Sequence, residues 1–141
     1  MKNFSSIACA HIWVLDHQQA LDFYVGKLGL EVKADYTRGG FRWLTVGVPG
    51  EAVPEIVLDV PGPPVMDDKT AQQIRDLLTK GALGVAMVLK TDDCFATYER
   101  LRAKGVEFTQ DAADRGYGID CGLRDPFGND IRILQPKAWK A

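Results

Sequence analysis

Apolar and polar positions alternate with two periods along this chain, and their order repeats. Ile7-Ala8-Cys9-Ala10-His11-Ile12-Trp13-Val14 reads as a strand. Asp16 stands where an N-cap carboxylate accepts an orphan backbone N–H. Over about 17–28, Ala20, Leu21, Tyr24 and Leu28 recur at helical spacing, and Gly29 closes the run. Strands are predicted at 30–36 and 41–46, joined as a hairpin by Thr37-Arg38-Gly39-Gly40, with a fourth at 55–60. Pro61-Gly62-Pro63-Pro64 is the strongest break. Beyond it Asp67 or Asp68 can cap a helix over about 69–80, with Ile74, Leu77 and Leu78 as its apolar stripe. The opening order then returns: a strand at 85–91, the cap Asp92-Asp93, a helix at 95–104, Gly105, and strands at 106–110, 117–124 and 130–135.

The two halves match residue by residue. Gly29-Leu30-Glu31-Val32 aligns with Gly105-Val106-Glu107-Phe108 at an offset of 76, and Asp16 aligns with Asp93 at 77. The expected architecture is α+β. Two βαβββ modules, about 7–60 and 84–136, are joined by a Pro-rich linker and an extra helix near 67–81, within one domain over 1–141. Alternation places Ile56, Leu58 and Val60 against helix and leaves Glu55, Val57 and Asp59 free. In the fifth strand Val85, Met87 and Leu89 are expected to pack, leaving Gly84, Ala86, Val88 and Lys90. Two such free faces, on a curved mixed sheet, would enclose a cleft.

Composition narrows the function classes. A length of 141 residues, 46% hydrophobic and 26% charged, fits one globular domain with its own core. A net charge of −2 gives no basic footprint for nucleic acid or anionic lipid. No apolar run approaches the roughly 20 residues of a membrane span, and the N-terminus lacks a signal-peptide pattern. Cys9, Cys94 and Cys121 are widely spaced, with no CxxC, so reduced thiols in the cytoplasm are expected. GxGxxG, P-loop and GxSxG motifs are missing. Histidine occurs only at His11 and His17, the latter expected to be exposed at a helix start.

Three stretches carry a family resemblance. They are Asp16…Ala20-Leu21-Asp22-Phe23-Tyr24…Leu28-Gly29-Leu30, Asp92-Asp93…Tyr98-Glu99-Arg100-Leu101…Lys104-Gly105-Val106-Glu107-Phe108, and Arg124-Asp125-Pro126-Phe127-Gly128-Asn129-Asp130-Ile131. Together they resemble the vicinal oxygen chelate superfamily, which includes glyoxalase I, extradiol dioxygenases, and fosfomycin- and bleomycin-resistance proteins. The resemblance implies the glyoxalase/bleomycin-resistance fold and a homodimer. Its metal-dependent members place His, a carboxylate, His and Glu on four strands. The corresponding positions here are Cys9, Val57, Ala86 and Arg132, with Glu55 and Asp59 flanking Val57. Val and Ala offer no donor atom, and Arg is a permanent cation, so no metal and no other cofactor is expected.

The remaining candidates keep two readings each. His11 is a ligand hydrogen-bond donor or acid–base group, or a satisfied structural histidine. Trp13 and Trp43 form an aromatic platform or pack in the core. Arg132 meets a ligand oxygen, or pairs with Glu55, Asp59 or Asp120 across the cleft. Cys9 is a small buried residue, or a thiolate beside Arg132. Tyr117 is a rim contact. The linker helix is a lid or a dimer element, and Phe127 and Trp139 are candidates to cover an interface.

The expected function is metal-independent binding of a hydrophobic or aromatic small molecule, such as an aromatic natural product, in a dimer cleft, without catalytic residues. The binding set is Cys9, His11, Trp13, Trp43, Glu55, Val57, Asp59, Ala86, Val88, Tyr117 and Arg132. The alternative is a glyoxalase-like lyase, isomerase or dioxygenase, metal-dependent or metal-free, with His11, Glu55 or Asp59 as base.

Overall fold

The computed structural model describes residues 1–137, and the chain divides into two compact units, Met1–Asp76 and Leu77–Ala141. The first unit contains β1 (Cys9–Trp13), α1 (His17–Tyr24), β2 (Glu31–Arg38), β3 (Phe41–Gly47) and β4 (Glu55–Asp59). The helix α2 (Asp68–Thr79) crosses the boundary. The second unit contains β5 (Val85–Lys90), α3 (Cys94–Ala103), β6 (Phe108–Asp114), β7 (Gly118–Arg124) and β8 (Asp130–Pro136). Each unit builds a four-stranded mixed sheet, ordered β1-β4-β3-β2 and β5-β8-β7-β6. In both, the first strand pairs parallel with the last and the other pairings are antiparallel. The α+β class and the repeated βαβββ order are as the sequence predicts.

Local chemistry sets the helix starts. The Asp16 carboxylate accepts the Gln19 N–H at 2.8 Å, Asp67 that of Thr70 at 2.7 Å, and Asp93 that of Ala96 at 3.0 Å. Asp67, rather than Asp68, therefore caps α2. The first helix is shorter than predicted. Beyond Tyr24 its ladder widens: Gly26 N–H reaches Leu21 O at 3.1 Å, and Leu28 N–H reaches Phe23 O at 2.9 Å. A Cβ at Gly26 would lie 2.4 Å from the Asp22 carbonyl oxygen, so this wider turn requires glycine.

In the first unit Ile12, Val14, Leu44, Val46 and Leu58 are buried, as are Ala20, Phe23 and Tyr24 of α1. In the second, α3 packs on β6, β7 and β8, burying Cys94, Tyr98 and Leu101 with Cys121, Leu123, Ile131 and Ile133.

Several expectations need correction. Leu77 is 45% exposed, so the buried stripe of α2 runs through Ala71 and Leu78 instead. Val60 is exposed, because β4 ends at Asp59. The sixth strand begins at Phe108 and runs to Asp114. Val85 does not pack inward. The register slips between Val85 and Met87, so Val85 and Val88 align with Asp130 and Arg132, two same-face positions of β8, and Ala86 falls at the irregularity. Phe127 is buried within the chain and leaves almost no surface to cover an interface. Trp139 lies outside the described residues.

Candidate functional site

In the first unit, alternation puts Cys9, His11 and Trp13 of β1 on the face opposite the buried Ile12 and Val14. His11 is opposite Val57, and Trp13 opposite Asp59. His11 Nδ1–H donates to Asp59 Oδ2 at 2.5 Å, and the imidazole meets the Trp43 ring edge-on with centroids 5.8 Å apart. The His11 side chain is half exposed, and among the described residues nothing bonds to its Nε2. Thr45 Oγ1–H donates to Glu55 Oε1 at 2.6 Å. Val57, flanked by His11 and Thr45, is fully buried. His11, Trp43, Glu55, Val57 and Asp59 lie on one sheet face, with half-buried Cys9 beside Glu55, but Val57 is buried there and not left free as alternation suggested. The other histidine departs from expectation. His17 is half-buried, its Nε2–H donating to Leu58 O at 2.9 Å and tying α1 to β4.

The second unit has a different floor. Asp120, 4% exposed, accepts Arg115 Nε–H at 2.6 Å on Oδ1, and Arg132 Nη2–H at 2.7 Å and Tyr117 O–H at 2.8 Å on Oδ2. Burial pushes the Asp120 carboxyl up, but hydrogen bonds from Arg132, Tyr117 and Arg115 outweigh it and hold the group below the ordinary value. Burial likewise works against the Arg132 guanidinium, and the Asp120 bond more than restores it. The Tyr117 hydroxyl, bound to that carboxylate and partly desolvated, is raised. Arg132 therefore finds its partner on the adjacent strand of its own sheet, not across a cleft. Sequence reasoning missed Arg115 altogether. No residue pattern signalled it; Gly122 signals only the seat of Arg132, with which it pairs and for whose long side chain it leaves space.

Above this floor lies a pocket of about 350 Å³, lined by Val85, Val88, Leu134, Tyr117, Asp120, Asp130 and Arg132. The start of β8 is fixed by Asp125, whose Oδ1 accepts the N–H groups of Phe127, Gly128 and Asn129 at 2.8–2.9 Å. Away from the pocket face, Cys94 and Cys121 are buried with sulfurs 3.9 Å apart. Burial, then the neighbouring Cys94, pushes the Cys121 thiol up to about 12, which keeps it an inert core residue.

The four strand positions that the resemblance assigns to metal ligands do not carry a donor set that fits a metal. Cys9 alone has a donor suited to it. Val57 is apolar and buried, Ala86 has no donor, and the Arg132 guanidinium is committed to Asp120.

A sequence profile of the Glyoxalase/Bleomycin resistance protein/Dioxygenase superfamily matches residues 6–133. The chain belongs to that superfamily. An uncharacterized Bacillus subtilis (strain 168) protein, YurT, is 32% identical over 130 residues, covering 92% of this chain and 98% of its own. Among solved structures, UcmS2 is 41% identical with a TM-score of 0.88, over 93% of this chain and 98% of its own. TnmS3, an antibiotic binding protein from Streptomyces sp. CB03234, is 28% identical with a TM-score of 0.76, over 97% and 100%.

Proposed function

We propose that this protein binds and sequesters a hydrophobic or aromatic small molecule without a metal, as a cytoplasmic homodimer. The observation that carries the reading is Arg132. A guanidinium paired with a carboxylate stands at a position that the family resemblance assigns to a metal ligand, and the equivalent position of the first unit, Val57, is a buried valine. Likeness to an antibiotic binding protein along the whole chain supports it. On the first sheet Trp13 and Trp43 supply stacking surface and His11 polar anchoring, with Cys9, Glu55 and Asp59 beside them; on the second, Ala86 and Val88 supply apolar contact and Arg132 polar anchoring, with Tyr117 at the rim.

Titrating tryptophan fluorescence with a broad panel of planar natural products tests this. Saturable quenching is expected, and a panel with no quencher overturns it. One tightly bound Fe, Ni, Zn or Mn per chain, in protein purified without chelator, would overturn the metal-free part.

The His11–Asp59 pair favours a second reading, metal-free acid–base catalysis on the bound compound. The Asp59 carboxylate fixes Nδ1 as the protonated nitrogen and leaves Nε2 as the base. Mass spectrometry of a quenching ligand after incubation decides it: product that vanishes with His11→Ala supports catalysis, and unchanged ligand rules it out.

A further inference from the structure

We infer that the pocket of the second unit selects a neutral ligand that offers a carbonyl oxygen to Arg132 and a hydroxyl to Asp130, its hydrocarbon lying on Val85, Val88 and Leu134. The inference rests on the small-molecule reading above and names the ligand class that this pocket takes. Three features carry it.

The first is the unused hydrogen-bonding capacity. Arg132 gives one N–H to Asp120, and its other N–H groups meet no acceptor among the described residues. Asp130 lines the same pocket, and its carboxylate accepts nothing from the described side chains. Asp130, Arg132 and Leu134 are alternate residues of β8, so they share one face at roughly 6.7 Å per step. The strand thus presents acceptor, donor and hydrocarbon in series.

The second is charge balance. Arg115 and Arg132 bring two positive charges, and Asp120 and Asp130 two negative ones. A carboxylate ligand would give up its hydration and meet no net countercharge. A carbonyl gains the same guanidinium hydrogen bond at a much lower desolvation cost.

The third is the bed on which the guanidinium lies. A Cβ on Gly122 would sit 2.4 Å from Arg132 Nη1 and 3.2 Å from Cζ. Gly122 is therefore a positioning residue: any side chain there lifts Arg132 out of its plane against the sheet.

The test is methyl NMR of the full chain titrated with three naphthalene probes: a hydroxyacetonaphthone, an acetonaphthone and a hydroxynaphthoate. Saturable shifts are expected at the Val85, Val88 and Leu134 methyls, with affinity falling in that order. Asp130→Asn should weaken the hydroxyacetonaphthone about tenfold and leave the acetonaphthone unchanged, as expected for one hydrogen bond to a charged group. Gly122→Ala should weaken both ketones while the α3 amide resonances stay in place, showing that the unit remains folded. A hydroxynaphthoate that binds as tightly as the ketones, or an Asp130→Asn protein that treats both ketones alike, overturns the inference. Tryptophan quenching by planar natural products without any probe shift at these methyls sinks this inference alone. A panel with no quencher sinks the broader function whatever the probes do.

Discussion

The two sheets put opposite chemistry on the same scaffold position. Val57 on β4 sits between His11 and Thr45, and Arg132 on β8 sits between Val88 and Gly122. Two residues before Thr45 is Trp43, and two before Gly122 is Asp120. An apolar pair in one unit thus corresponds to an ion pair in the other. The small residue follows the large one: Gly122 vacates the space that the guanidinium fills, whereas Thr45 spends its hydroxyl on Glu55. Repetition of the βαβββ order fixes where side chains point and leaves their chemistry free. The first face became aromatic with a His–Asp pair, and the second became an Asp bound by two arginines.

Exchanging the two central residues breaks the comparison most sharply. Val57→Arg buries a cation where the first unit has Trp43 in place of a carboxylate, and urea unfolding should show a loss of about 4 kcal/mol or more. Asp120→Ala strands two partly buried guanidiniums and a tyrosine hydroxyl. The same measurement should give about 3 kcal/mol. Its milder relative, Asp120→Asn, carries a pH signature. The Asp120 carboxyl is held below its ordinary value, so its contribution is present above the unfolded-state value of about 3.9 and is lost as pH falls through the lower folded one. The stability gap between the protein and Asp120→Asn should be full at pH 7 and close below about pH 4. The reverse exchange, Arg132→Val, leaves Asp120 with Arg115 and Tyr117, and about 1–2 kcal/mol is expected. Smallest are the caps. Asp16→Ala and Asp93→Ala should each cost about 1 kcal/mol, alike in both units, because that part of the repeat kept its chemistry.

What could be read from the sequence was what short-range rules govern. Asp16 and Asp93 announce themselves because a cap acts within three residues. The shared face of Glu55, Val57 and Asp59 was legible from the period of two, but the burial of Val57 on it was not, because that depends on what packs over the face. The slip at Ala86 was not, since no local residue type demands it. It reversed Val85 and thereby hid one wall of the pocket. Arg132 was visible as a charge in an apolar strand, but its partner was one of three carboxylates, and only strand pairing selects Asp120. Arg115 lies in the turn between β6 and β7, where no periodicity reports on side-chain direction. Gly26 looked like an ordinary helix residue, although it is where the regular ladder of α1 ends.

The parallel pairing of first and last strands has a consequence for synthesis. Cys9 meets Glu55 across 46 residues, and Val85 meets Asp130 across 45. Closing loops of that length costs roughly 3 kcal/mol of chain entropy before any contact forms. The first unit has every strand of its sheet once Asp59 has left the ribosome. Arg132 emerges 73 residues later. At roughly 5–20 residues per second, that delay is on the order of seconds. The aromatic face can therefore assemble on the nascent chain while the arginine that completes the other face is still untranslated.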